Sequence, residues 1–356
     1  MTPASSTLAD QDELTNEAAR PVQSPPIAAR VAIAIGVALL AFTLAALRFR
    51  GAPYVYAGDF TVHWRAARAL IDGASPYKVI NTLPYYPYNS GYYYLLPMAV
   101  LAVPFSLLPP HGALAVFVAV SLGVLAFALT RDGYWRLPLL ASLPVMWCIF
   151  SGQVVALVTA AIILPALWWL WPLKYTLGAA GAAYQLSVRY LAVGLAVVVI
   201  TAIVWPWWPR DWAAELSDNN GQYYRVPLLV PGGVLLLITL LRWRRPEARL
   251  IAAMACMPQT MLYYDQLPLA LTAGTYRQAL WLSLGSYVAP LIAIAIHGSA
   301  PVDLRVLVDR NAPVILACYY APAAILVLLR PNVGRVPAWL ERASNVLPAW
   351  LRGSAT

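Results

Sequence analysis

Hydrophobic residues in this chain come in long uninterrupted runs, not in alternation. The first covers Val31 to about Leu47, and others follow at about 92–108, 112–130, 137–150, 153–171, 190–208, 226–241, 250–264, 279–296 and 312–329. Most approach the ~20 apolar residues that one helix needs to cross a bilayer. Continuous apolarity excludes a β-barrel, whose strands alternate. Two weaker stretches, 175–188 and 266–275, read as half-helices or short tilted spans. The pattern predicts an all-α, polytopic transmembrane helical bundle of about 10–12 spans.

One segment has a different rhythm. Phe60–Ile71 reads as a short amphipathic helix in the first long polar excursion, with Asp59 at its N-cap position and Gly73 at its stop. Val62, Ala66, Ala69 and Leu70 share one face, while Arg65, Arg68 and Asp72 are polar. Such a helix is expected to lie along the membrane surface.

Three regions follow. Residues 1–29 are polar and mildly acidic, with Pro21, Pro25 and Pro26. They are too polar for a signal peptide and predict a disordered cytoplasmic tail. Residues 30–330 form the transmembrane domain, with a first external loop at 48–91. Residues 331–356 form a basic cytoplasmic tail holding Arg335, Arg342 and Arg352. The loop 242–249 carries four arginines and one glutamate, so it belongs on the same inner side. Placing both inside requires 266–275 to cross, or one of its neighbours to be re-entrant, and an acidic N-terminus inside with 48–91 outside requires 175–188 to cross as well.

Composition agrees with the pattern. Of 356 residues, 61% are hydrophobic and 11% charged, against about 25% charged in a soluble domain. Mean hydropathy is +0.65. Only a bilayer can solvate this much apolar surface, which excludes a soluble enzyme and a nucleic-acid binder. The net charge of +9 then reflects arginines in short inner loops, not affinity for polyanions. Cys148, Cys256 and Cys318 stand far apart in apolar stretches and read as small buried hydrophobes. Three scattered histidines and no paired acids predict no metal site and no cofactor.

The first external loop carries the most specific pattern. It reads Gly58-Asp59-Phe60, then His63-Trp64-Arg65, Arg68, Asp72-Gly73 and Ser75-Pro76-Tyr77. Tyr92-Tyr93-Tyr94 then leads into a run ending at Pro109. This block resembles the GT-C superfamily of membrane glycosyltransferases, and within it glycosyltransferase family 87, the polyprenyl-phosphate-mannose-dependent, mannosyltransferase-like proteins. Ser151-Gly152-Gln153, Trp205–Trp212 and Pro258–Asp265 extend the resemblance more loosely. It departs from the family at His63, where an aromatic is commoner, and in a short middle between Lys174 and Arg189.

The resemblance implies a bacterial inner-membrane enzyme that moves a sugar from a polyprenyl-phosphate donor to a lipid-linked or cell-envelope glycan acceptor, with membrane lipids around it. It assigns Asp59 as the general base. Sugar transfer from a lipid phosphate needs a base at the acceptor hydroxyl and cations at the departing phosphate. The plain alternative is that Asp59 only caps its helix. His63 is one turn further on, a candidate for phosphate or sugar, or an interfacial residue beside Trp64. Arg65 and Arg68 are candidates for lipid phosphate, or snorkel toward headgroups. Trp64, Tyr93 and Tyr94 suit a sugar face, or the aromatic belt. The cluster Trp205, Trp207, Trp208 and Trp212 reads as belt. Tyr264 and Asp265 interrupt an apolar run and are candidates for sugar hydroxyls, or a plain loop. Lys174 could meet a prenyl phosphate or mark a loop end. Gln153 and Gln259 could simply tie neighbouring helices. Two other classes stay open: a non-catalytic membrane subunit on the same scaffold, and a transporter or flippase. No internal repeat and no paired intramembrane charges speak for the latter.

Overall fold

The computed structural model describes residues 25–51, 58–80, 91–219, 224–298 and 303–354. The expected disordered tail lies outside them up to residue 24, and so do Tyr54, Tyr56, Tyr85, Tyr86 and Tyr88. Helices dominate, and the described residues contain only two isolated β-bridges. The α-helices are α1 (Ile27–Arg48), α2 (Phe60–Ile71), α3 (Pro76–Val79), α4 (Leu96–Ser106), α5 (Pro110–Leu129), α6 (Leu143–Ser151), α7 (Val155–Ile163), α8 (Tyr175–Gln185), α9 (Val188–Val204), α10 (Trp208–Asn219), α11 (Pro246–Cys256), α12 (Tyr276–Gly285), α13 (Val288–His297), α14 (Leu304–Ile315), α15 (Ala321–Leu328), α16 (Ala338–Ser344) and α17 (Ala349–Arg352). Tight 3₁₀ segments Pro165–Lys174, Gly233–Arg242 and Tyr263–Thr272 lie between them, and a π turn, Leu316–Tyr320, joins α14 to α15.

Four helical stretches are long and apolar enough to cross a bilayer: Ile27–Arg48, Pro110–Leu129, Tyr276–His297 and Leu304–Leu328. A fifth arises if α9 and α10, bent by 105°, count as one. The remaining apolar segments are shorter than the sequence runs suggested, because prolines and glycines cut those runs. Pro165 and Gly233, for example, each begin a 3₁₀ segment. The outer helices expose apolar side chains: Leu39 in α1 is 64% exposed, Ile203 in α9 73% and Leu291 in α13 65%. Apolar surface on this scale is stable only against lipid, so the chain is embedded in a membrane. All nine residues of α7 are buried, which places it at the bundle centre.

Two polar layers bound the bundle. At one end, arginines cap the helix termini, whose last carbonyls have no partner of their own. Arg30 donates to the Phe127 carbonyl at 2.9 Å and Arg131 to Ile163 at 2.8 Å. Arg249 reaches Ala183 at 2.7 Å and Tyr184 at 3.1 Å, and Arg330 reaches Thr272 at 2.7 Å. A cation there also offsets the negative pole of each helix. The opposite end gathers Asp59, Gln153, Lys174 and Asp265.

The C-terminal segment is folded onto the arginine end, where the sequence suggested a plain tail. Its organiser is Arg244, 1% exposed. Its guanidinium grips both Glu341 oxygens at 2.8 and 2.7 Å, and its Nε donates to the Arg352 carbonyl at 2.6 Å. The Trp243 indole and Asn332 both donate to the Leu351 carbonyl at 2.9 Å. Arg244→Ala is expected to release residues 331–354 and speed their amide exchange on the order of tenfold or more. Acid should do the same. The Arg244 hydrogen bond holds the Glu341 carboxyl below its ordinary range. Its contribution is therefore full above that range and lost as pH falls through the lowered value. Unchanged exchange in both cases would show that the clamp does not hold the segment.

Candidate functional site

Asp59 is positioned by two glycines. Gly58 has φ +54° and Gly152 φ +73°, a region that L side chains avoid. A Cβ on Gly152 would stand 2.8 Å from the Phe60 Cβ, and one on Gly58 would stand 2.9 Å from the Ser151 carbonyl oxygen. Glycine therefore lets the start of α2 press against the turn after α6. The Asp59 amide donates to the Ser151 carbonyl at 2.8 Å, and the Gln153 side-chain amide donates to the Asp59 carboxylate at 2.5 Å. The carboxylate makes no capping bond to α2. The capping alternative thus fails for the side chain, which is turned toward Gln153.

Helix α2 forms with the expected bounds. Its buried side is wider than its apolar stripe and takes in His63 and Arg65, at 1% and 7% exposure. Ala66, Ala67 and Ala69 let it pack closely against its neighbours. His63 meets the Tyr94 ring edge-on at 4.4 Å between centroids. Burial, reinforced by the Lys174 charge, pushes its pKa down to about 3, so the imidazole is neutral at ordinary pH. Its Nδ1 has no hydrogen-bond partner among the described residues.

The second half of the site comes from two 3₁₀ segments. Lys174 ends Pro165–Lys174, and Asp265 lies in the first turn of Tyr263–Thr272. Nζ and Oδ1 are 2.5 Å apart, with the lysine 7% and the aspartate 0% exposed. The other Asp265 oxygen accepts from the Thr260 amide at 3.0 Å and the Thr260 hydroxyl at 2.7 Å. Between them Met261 is held at φ +48°, a strained conformation for a non-glycine residue. The lysine ammonium lies 4.6 Å over the Tyr264 ring. Tyr264 is within electrostatic reach of both Asp59 and Asp265, and His63 of Lys174. The two halves therefore adjoin.

The structure thus brings together Asp59, His63, Tyr94, Tyr264 and Asp265 from the sequence candidates. It uses Trp64 differently: its indole N–H donates to the Leu108 carbonyl at 3.0 Å and straps α2 down. Tyr93 is tied to α10, its carbonyl accepting from Trp212 at 3.1 Å. Arg65 is inside the packed side of α2 and does not snorkel, while Arg68 is half-buried. Trp208 is 2% exposed, so with Trp212 it belongs to the packing of α10 over the Tyr92–Tyr94 segment and not to a belt. Asp265 is no loop residue. Cys148 is buried, but Cys256 is exposed, because it ends α11 at the bundle rim. Lys174 was readable only as one of two possibilities. It is no loop end: it is buried against Asp265, and a lone lysine inside an apolar stretch is the sequence signal for such burial.

With carboxylates at Asp59 and Asp265, an ammonium at Lys174 and a neutral imidazole at His63, the arrangement offers a proton acceptor, one cation and several hydrogen-bonding groups beside aromatic rings. Compared with known proteins, the chain matches no family model, no curated protein and no solved structure.

Removing one partner of a buried ion pair costs about 3–5 kcal/mol, whereas removing both is often neutral. Lys174→Met should therefore lower thermal stability in detergent sharply, and Lys174→Met with Asp265→Asn should recover most of it. Equal stability of the single variant and wild type would mean the pair is not formed.

Proposed function

We propose that this chain is a bacterial inner-membrane glycosyltransferase of GT-C type. It transfers mannose or a related sugar from a polyprenyl-phosphate donor to a lipid-linked or envelope glycan on the outer face. The observation that carries the reading is the Asp59 carboxylate, fixed by Gln153 at the start of the helix that carries His63, at the same end of the bundle as the buried Lys174–Asp265 pair. Asp59 takes the proton from the acceptor hydroxyl as that oxygen attacks the anomeric carbon. The bond to the donor phosphate breaks with inversion, and Lys174 offsets the charge on the departing phosphate. His63, being neutral, contributes hydrogen bonding and not charge. Tyr94 and Tyr264 offer ring faces to sugar C–H groups.

The membrane arrangement supports this reading. Pro165–Lys174 and Tyr263–Thr272 run from the arginine layer to the Lys174–Asp265 pair, so these short segments also read as passages toward the expected total of about 10–12. The arginine-rich end is then cytoplasmic and the Asp59 end external. Helix α2, beside the site, is read as lying at the external interface.

One observation favours a second reading. The Lys174–Asp265 pair is an intramembrane charge pair of the kind that transporters use, so a transporter remains the rival. Transfer assays separate the two. Asp59→Asn is expected to cut incorporation of labelled sugar from a polyprenyl-phosphate donor by about 10²–10⁴-fold with stability unchanged. The stable Lys174→Met, Asp265→Asn double variant is also expected to lose transfer. Full activity in Asp59→Asn would remove the proposed base. A wild type that transfers nothing but dissipates a solute gradient in vesicles would establish the rival.

A further inference from the structure

The C-terminal segment is rigidly mounted, yet it carries side chains that water does not favour. Trp339 is 57% exposed, Val346 87% and Trp350 72%. They sit on α16, on the link after it and on α17. Elsewhere in the segment the main polar bonds point inward. Arg244 takes Glu341 and the Arg352 carbonyl. The Gly334 amide donates to the Ser354 carbonyl and the Ser354 amide to the Asn332 carbonyl, each at 3.1 Å. The fold is tight enough that a Cβ on Gly353 would meet the Asn332 oxygen at 2.2 Å.

Charge and position identify what covers the exposed side chains. From residue 331 onward the sequence has one acid, Glu341, and three bases, Arg335, Arg342 and Arg352. The acid is already neutralised by Arg244, while Arg335 and Arg342 are exposed. The outward face is therefore cationic and aromatic. It begins beside Leu329, 79% exposed and next to the end of the lipid-crossing stretch Leu304–Leu328. Arg245 holds the Pro331 carbonyl at 2.7 Å, so the segment cannot swing away from the bundle end. Tryptophan rings favour the headgroup level of a bilayer, and arginines there are drawn to anionic lipid.

We propose that residues 331–354 form an interfacial foot on the leaflet at the arginine-rich end. Trp339, Val346 and Trp350 enter the headgroup region, and Arg335 and Arg342 contact anionic phospholipid headgroups. The foot lies at the end of the bundle opposite Asp59, so it is independent of the reaction proposed above.

Spin labels test this in the full-length protein. Cysteine is placed singly at Trp339, Val346 or Trp350, in a chain carrying Cys148→Ala, Cys256→Ser and Cys318→Ala. The protein is reconstituted in phosphatidylcholine vesicles with or without one-quarter phosphatidylglycerol. Membrane insertion predicts several-fold higher collision with oxygen than with a water-soluble nickel chelate at all three positions, with deeper immersion in the anionic vesicles. Arg335→Gln with Arg342→Gln, both surface changes, should abolish the lipid dependence of a label at position 350. Labels freely reached by the nickel chelate in both vesicle types would overturn the proposal. So would labels shielded from both reagents, which would mean that protein covers this face.

Discussion

The ion pair between Lys174 and Asp265 is the constraint on which the external end of the bundle depends. Two segments far apart in sequence are locked at 2.5 Å where little water competes. Neither charge is tolerable alone there, because an unpaired buried ion loses its hydration without compensation. The pair therefore fixes how Pro165–Lys174 and Tyr263–Thr272 lie against each other. Thr260 completes the acid's coordination through a strained turn at Met261. Tyr264 takes its surroundings from it, lying beneath the ammonium, while His63 is kept neutral chiefly by its own burial and further by the lysine charge.

Like charges serve different purposes at the two ends. At the arginine end, guanidinium groups are spread among separate helix termini, each satisfying carbonyls that lipid cannot. Their planar, many-donor shape suits this, since one arginine can serve two carbonyls, as Arg249 does. At the other end one buried lysine is paired with one buried carboxylate, Asp265. The first arrangement distributes charge and stabilises termini. The second pairs its charge, and buried polar atoms without a partner among the described residues occur at both ends, the His63 Nδ1 at this one and the Arg136 Nε at the other. Concentrated, incompletely satisfied polarity in a membrane protein is costly, and function is the usual reason it persists.

The proposed base owes its setting to backbone as much as to side chains. Gly58 and Gly152 permit a contact that any larger residue would block, and that contact brings the Gln153 amide to the Asp59 carboxylate. The short helix α2 then projects His63 from the same start. Trp64 anchors the helix to the Leu108 carbonyl, so a residue with a plausible sugar-binding ring acts as a strap.

The sequence by itself determined the membrane class, the first span and the bounds of α2. Each follows from local rules: unbroken apolarity, 3.6-residue periodicity and the stop at Gly73. It also marked Asp59 and Asp265 as unusual, since carboxylates beside apolar runs are expensive. The tertiary structure alone decided which partners they take. Gln153 and Lys174 stand 94 and 91 residues from the acids they meet, and no periodicity reports a contact over such a distance. The same holds for Arg244. In sequence it is one of four arginines in a loop, with nothing to distinguish it. Only the folded chain shows that it is buried against Glu341 and turns a tail into a folded segment. Local pattern sets what each stretch must hide from water, but the choice of what it hides against belongs to the packing of the whole bundle.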